Sequence, residues 1–177
     1  YEGTLTAQID AIPLRVKVTV SPATIAYGDP APAATVGYEL TDLLSGETIA
    51  QVVNSEPVAT TTYQPGDPAN ADYTYVTSGG STNGNYYFVY GDAKFHVDPK
   101  GGQTEQEMGI TRFPLNKTYD GTPGASYVTS SAAEAKIFYR NSSSDTWSEQ
   151  RINITNVNES KTIQFRVETR DYAPYES

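Results

Sequence analysis

The sequence predicts an all-β protein of two small tandem modules, each β-sandwich or β-grasp-like, with at most one short helix. Three observations predict it. Apolar and polar residues alternate with a period of two in several stretches, which sets one face of an extended strand on a core and the other in water. Tyr, Thr and Val, which suit a pleated, half-buried surface, dominate those stretches, and the chain holds 14 Tyr against one Met and one Trp. Clusters of Gly, Pro, Asn and Asp divide the chain at short intervals, as turns do.

In chain order, Leu5, Ala7 and Ile9 alternate with Thr4, Thr6 and Gln8 and predict a first strand. Leu14, Val16, Val18 and Val20 alternate with Arg15, Lys17 and Thr19 and predict a second. A turn follows at Tyr27-Gly28-Asp29-Pro30. Helix is confined to 41–53, where Leu43, Leu44, Ile49, Val52 and Val53 fit a turn or two and Gly46 forbids more. After a turn at 64–68 come strands at 71–78 and 86–90, with turns at 78–81 and 83–85 between them. Ala93, Phe95 and Val97 alternate with Lys94 and His96. Later strands are predicted at 136–140, at 152–157 and around Ile163, Phe165 and Val167; a turn is predicted at 141–145 and a single helical turn at 131–136.

A boundary falls at 98–103, where Asp98-Pro99-Lys100-Gly101-Gly102-Gln103 ends a strand with Pro and paired Gly. The charge balance changes there as well. Residues 1–99 carry eleven acids and three bases, residues 100–177 ten acids and nine bases, and the whole chain has a net charge of −9. An acidic first module with no Lys or Arg between Lys17 and Lys94 repels phosphate backbones and anionic lipid, which disfavours nucleic-acid partners and membrane surfaces. No apolar run approaches the ~20 residues a membrane-spanning helix needs. With 37% hydrophobic residues and a mean hydropathy of −0.49, the 177 residues fit two thin modules better than one thick core. Cysteine is absent. Small secreted animal domains are usually stapled by disulfides, so an extracellular chain without them points to a bacterial surface protein. The chain opens on Tyr1 and reads as a stretch of a longer polypeptide.

The residue types that carry chemistry do not assemble into an enzyme. His96 is the sole histidine, so neither a His-based triad nor a multi-His metal site can be built. No Gly-x-Ser-x-Gly elbow and no phosphate-binding Gly-rich loop is present. The acids that a glycosidase pair would draw on, Asp29, Asp42, Glu47, Asp67 and Asp92, fall mostly at turns, where Asp is expected for backbone reasons. No cofactor is implied. Calcium is the one ion left open, with Asp67, Asp72 and Asp92 of the acidic module as its candidate ligands. Lys117 is expected to face solvent, which disfavours an intramolecular Lys–Asn or Lys–Asp crosslink. The Asn-x-Ser/Thr sequons at Asn116, Asn141, Asn153 and Asn158 are assigned no function. Aromatic residues are the best contact candidates: Tyr73, Tyr75, Tyr86, Tyr87 and Tyr90 gather in two strand regions. Adjacent Tyr86 and Tyr87 must point to opposite faces, so one lies outside the core or under a neighbouring module.

Several segments carry a resemblance. Pro13-Leu14, Tyr27-Gly28-Asp29-Pro30-Ala31-Pro32, Asp42-Leu43-Leu44-Ser45-Gly46-Glu47-Thr48, and Asn85 through Val97 occur in the order seen in a repeat of large bacterial surface adhesins. Residues 13–99 resemble this MBG repeat of the Tyr-Gly-x type, with Asp42 and Glu47 departing from its usual Gly and Asp. Residues 103–177 resemble a related repeat, through Lys117-Thr118-Tyr119-Asp120-Gly121-Thr122-Pro123 and Asp171-Tyr172-Ala173-Pro174-Tyr175-Glu176. In such turns Gly supplies a positive φ, Asp bonds the backbone two residues on, and the neighbouring Tyr offers a ring to the core and a hydroxyl to pin the turn. The resemblance implies structural roles for Tyr27, Gly28, Asp29, Pro30, Tyr119, Asp120 and Gly121.

It also sets a phase. Tyr175-Glu176-Ser177 resembles Tyr1-Glu2-Gly3 as one position in successive repeats. Residues 1–12 then hold a strand of a preceding repeat, 13–99 a complete repeat, 100–102 a linker, and 103–177 a repeat lacking its final strand. The implied protein is a secreted or wall-anchored surface adhesin, extracellular, in which this stretch is a structural or stalk repeat whose partners are neighbouring repeats. The alternative is a ligand-binding adhesin module for host glycan of mucin type or host protein. A stalk module shows a stiff Pro-containing joint, and a binding module shows exposed aromatics framing a groove.

Overall fold

In the computed structural model, which describes residues 4–177, the first hydrogen-bonded ladder begins at Ile12. The strands, in chain order, are β1 (Ile12–Ser21), β2 (Thr24–Ala26), β3 (Ala33–Tyr38), β4 (Val53–Ser55), β5 (Val58–Thr60), β6 (Ala71–Ser78), β7 (Ser81–Thr82), β8 (Tyr86–Tyr90), β9 (Ala93–Asp98), β10 (Ile110–Phe113), β11 (Tyr127–Ser130), β12 (Lys136–Arg140), β13 (Gln164–Glu168) and β14 (Tyr175–Glu176). Helix amounts to one tight turn at Leu40–Asp42 and one α-helical turn, α1 (Ile49–Val52). The protein is all-β. Among the described residues no helix is long and apolar enough to cross a membrane.

The chain divides into two compact units. The first comprises the described residues through Ile25, then Asp29–Pro65 and Asp72–His96; the second comprises Ala26–Gly28, Gly66–Ala71 and Val97–Ser177.

In the first unit β1 lies between two partners. It runs antiparallel to β3, from Val16 opposite Tyr38 to Ser21 opposite Ala33, and parallel to β8, from Ile12 opposite Tyr86 to Val16 opposite Tyr90. Its period-two pattern resolves as read from the sequence: Leu14 and Val16 are buried, and Pro13, Arg15 and Lys17 face out. Leu14, Val52 and Tyr86 form a fully buried cluster, flanked by Ile12, Leu43 and Phe88. Each such side chain contributes roughly 1.5–3 kcal/mol by leaving water. α1 is capped by its own sequence: the Thr48 N–H donates to Gln51 Oε1 at 2.8 Å, which satisfies a donor that the helix leaves open. A second sheet has the order β2-β9-β6-β5, and an aromatic cluster gathers on it. Phe95 is its centre, with the rings of Tyr63, Tyr73 and Tyr75 at 5.4, 5.9 and 5.7 Å.

The second unit holds the antiparallel pair β10-β11 and the three-stranded sheet β12-β13-β14. Met108, Val128, Tyr139, Phe165 and Val167 are its buried core. The stretch read as a linker, 100–102, begins on a pinned residue. The Lys100 N–H donates to the Asp171 carbonyl at 3.0 Å, and the Lys100 carbonyl accepts the Ala173 N–H at 2.9 Å.

The strand predicted at 152–157 is corrected, and residues 4–9, read as a strand of a preceding repeat, form no ladder among the described residues. Residues 4–9 pair with nothing among the described residues, and Leu5 and Ile9 are fully solvent-exposed (100% and 99%). Alternation specifies a face, but a ladder also needs a partner edge. Residues 1–3, on which the repeat phase also rests, lie outside the described residues. At 152–157 there is a single bridge, Gly124 with Ile154. There the Glu159 carboxylate captures the N–H groups of Thr155 and Asn156 at 3.1 and 3.2 Å, and this side-chain bonding competes with a ladder. At 131–136 the expected helical turn is a plain turn leading into β12.

Candidate functional site

The residues singled out by the sequence fall into three groups, and the structure gives most of them structural contacts. The turn after β2 is the first group. Gly28 has φ +86, a left-handed conformation that glycine adopts without a steric penalty. The turn is held at both ends by tyrosines from elsewhere: the Tyr63 hydroxyl donates to the Asp29 carbonyl at 2.9 Å, and the Tyr75 hydroxyl donates to the Pro32 carbonyl at 2.8 Å. The pinning hydroxyl therefore comes from Tyr63 and Tyr75, where the sequence pattern suggested Tyr27. In the second unit the Tyr27 N–H donates to the Asp98 carbonyl at 2.8 Å, and the Tyr27 ring meets Tyr172 edge-on with centroids 5.4 Å apart. Burial, and then the neighbouring Asp171 carboxylate, push the Tyr27 hydroxyl above its ordinary pKa.

The segment from Asp42 to Thr48 is equally occupied. Asp42 grips Arg15 through both oxygens, Oδ1 to Nη2 at 2.6 Å and Oδ2 to Nε at 3.0 Å, and takes the Arg15 backbone N–H at 2.9 Å. That guanidinium holds the Asp42 carboxyl below its usual range. The buried Tyr86 hydroxyl contacts Glu47 and accepts the Leu44 N–H at 3.0 Å. Sequence reasoning missed Tyr63 because no alternation surrounds it in Thr60-Thr61-Thr62-Tyr63.

The second group is Tyr119-Asp120-Gly121. Asp120 behaves as the pattern predicts: Oδ1 accepts the Thr122 N–H at 2.9 Å and pairs with Lys117 Nζ at 2.8 Å. The Lys117 hydrogen bond and the Thr122 N–H lower the Asp120 carboxyl to about 2. Gly121 has φ +80. Tyr119 departs from the expectation: its ring is 63% exposed and gives nothing to the core.

The third group is the aromatic candidates. Tyr75 and Tyr86 are buried, and Tyr73 stacks on Phe95 and meets Tyr63 edge-on inside the first unit, so these three serve packing rather than contact. The reason is strand parity: each falls on the inward side of β6 or β8. Tyr87 and Tyr90 are 51% and 44% exposed, and the Tyr90 hydroxyl donates to the Gly79 carbonyl at 2.6 Å.

His96 Nδ1 lies 2.7 Å from Asp72 Oδ1. Among the described residues no group of three His, Asp or Glu side chains is arranged to hold a metal ion; Asp67, Asp72 and Asp92 do not converge. Lys117 Nζ, expected to face solvent, instead reaches Asp120 and the Thr122 carbonyl at 3.1 Å.

Residues 16–96 match the MBG domain family, YGX type. The MBG segment spans β1 from Val16, the tyrosine-pinned turn, α1 and β9 as far as His96. MBG domains are non-catalytic repeats typical of bacterial surface proteins. No curated protein and no solved structure matches the chain.

Proposed function

We propose that this chain is a structural repeat segment of a bacterial surface adhesin, extracellular and non-catalytic, with neighbouring repeats as its partners. The observation that carries the reading is the MBG match over 16–96. Three features support it. Polar side chains within the matched segment are engaged in contacts inside the first unit, as with Asp42 on Arg15 and the Tyr75 hydroxyl on the Pro32 carbonyl. The second unit is likewise all-β and carries a Tyr-Asp-Gly turn, which supports reading 103–177 as a related repeat. The acidic surface suits a solvated, exposed protein.

The test is accessibility on the cell. Antibodies raised against residues 16–96 should label intact source bacteria, and external protease should remove the signal. Labelling that appears only after lysis would sink the proposal.

A further inference from the structure

A second property lies outside the MBG segment and does not depend on the repeat reading. In the second unit the loop carrying Tyr119 and the loop of 154–159 enclose a cleft of about 230 Å³. Paired backbone hydrogen bonds between Gly124 and Ile154, 2.9 Å each way, fasten the loops together. Leu115 and Ile154 give its lining an apolar part. Leu115 packs under Gly124, where a Cβ would fall 2.8 Å from Leu115 Cδ1, so the glycine leaves the cleft its depth. The lining also includes the exposed Tyr119 ring, Asn156 and Asn158.

The charged groups of this cleft are already paired. Lys117 is held by Asp120 at 2.8 Å, and Glu159 by Lys161 at 3.1 Å and by the N–H groups of Thr155 and Asn156. The Thr155 N–H first, then Lys161, hold the Glu159 carboxyl at about 2, so the group stays ionised and engaged at neutral pH. Among the described residues the side chains of Tyr119, Asn156 and Asn158 make no hydrogen bond. What the cleft offers a ligand is therefore a bare aromatic face, two amides that can each donate and accept, and no unpaired charge.

That combination suits one ligand chemistry. A sugar ring has an apolar C–H face that stacks on an aromatic ring, and vicinal hydroxyls that pair with amides. The small volume limits the contact to about one ring, and the absence of free charge selects against acidic sugars. We infer that the Tyr119 cleft is a low-affinity binding site for a neutral saccharide, one ring stacked on Tyr119 and its hydroxyls bonded to Asn156 and Asn158.

The test is saturation-transfer NMR on the full chain with millimolar lactose, maltose or chitobiose, and 3′-sialyllactose as the charged control. Transfer to the ring C–H protons of at least one neutral disaccharide is expected. Tyr119→Ala should abolish it and Tyr119→Phe should preserve it, because the ring does the stacking. Gly124→Ala should weaken it by pushing Leu115 into the cleft. Thermal melts of the Tyr119 variants should match the parent, since the ring is exposed, and this separates a lost site from a lost fold. No transfer from any neutral probe, transfer unchanged in Tyr119→Ala, or preference for 3′-sialyllactose would each overturn the assignment.

Discussion

Oδ1 of Asp171 accepts the backbone N–H of Ala69 at 3.0 Å, a contact between residues 102 apart in sequence. Both belong to the second unit, and Asp171 is one of two buried polar residues among the described ones. The Arg170 guanidinium lies on the same carboxylate, Nε to Oδ1 at 2.8 Å and Nη2 to Oδ2 at 2.9 Å. Asp171→Ala would leave a buried N–H unpaired and is expected to cost about 1–3 kcal/mol. Asp171→Asn restores an acceptor without the charge and should recover part of that. Urea melts of the three proteins measure the difference.

The same carboxyl sets an acid limit. Its hydrogen bond to Arg170, and then to Ala69, depress its folded pKa. A depressed carboxyl contributes stability that is fully present above its unfolded value, near 4, and is lost as pH falls through the folded value. The midpoint of a urea melt should therefore hold constant from neutrality down to about pH 5 and drop below about pH 4. Asp171→Asn should lessen that drop, with the depressed carboxyls of Asp120 and Glu159 supplying the remainder; an equal drop in the variant would place all of the acid sensitivity elsewhere.

Removing single tyrosine hydroxyls should separate pinned tyrosines from exposed ones. Tyr75→Phe loses the bond to the Pro32 carbonyl, and Tyr86→Phe loses the Leu44 N–H and Glu47 contacts. Each should cost about 1 kcal/mol. Tyr87→Phe, at a half-exposed ring, should fall within about 0.5 kcal/mol of the parent in the same melts.

The turn glycine gives a cleaner backbone measurement. A Cβ at Gly28 would meet nothing within 4 Å, so Gly28→Ala isolates the left-handed conformation itself. The expected loss is about 1–2 kcal/mol, and Gly28→Asn should lose less because Asn tolerates that region. Equal losses for Ala and Asn would mean that the turn is held by something other than its φ.

The two motif tyrosines should also behave differently. Tyr27 packs edge-on against Tyr172, a pairing worth about 0.5–1.5 kcal/mol beyond buried area, so Tyr27→Leu should lower the melting temperature. Tyr119→Leu should leave it unchanged.

Strands rich in aromatic and β-branched residues between turn signals were legible in the sequence, as were those with clear alternation. β6, β8 and β12 occupy the residues predicted for them, and β1 and β9 extend their patterns by a residue or two. β3 and β11 carry weaker patterns, Ala-Ala-Thr-Val-Gly-Tyr and Tyr-Val-Thr-Ser, and exist because a partner strand lies beside them. The stretch at 4–9 is the converse, a good pattern with no partner strand among the described residues. The Asp120 turn was legible because its hydrogen bond is local. Tyr63 on Asp29 was not, because a contact across 34 residues leaves no local trace. The exposure of Tyr119 was not legible for a different reason: adjacency to a structural turn does not fix which way a ring points.

The parallel pairing of β1 with β8 has a mechanical consequence. Tension that enters the chain at Ile12 and leaves beyond Tyr90 drags the two strands lengthwise in opposite directions. The rungs from Ile12–Tyr86 to Val16–Tyr90 then bear the load together, whereas antiparallel terminal strands would peel one rung at a time. Stretched in an optical trap, the first unit should yield in one abrupt step rather than by gradual peeling; gradual peeling would mean that the load bypasses this pair. On the proposed stalk reading, this pairing would let the first unit carry tension along the chain without lengthening.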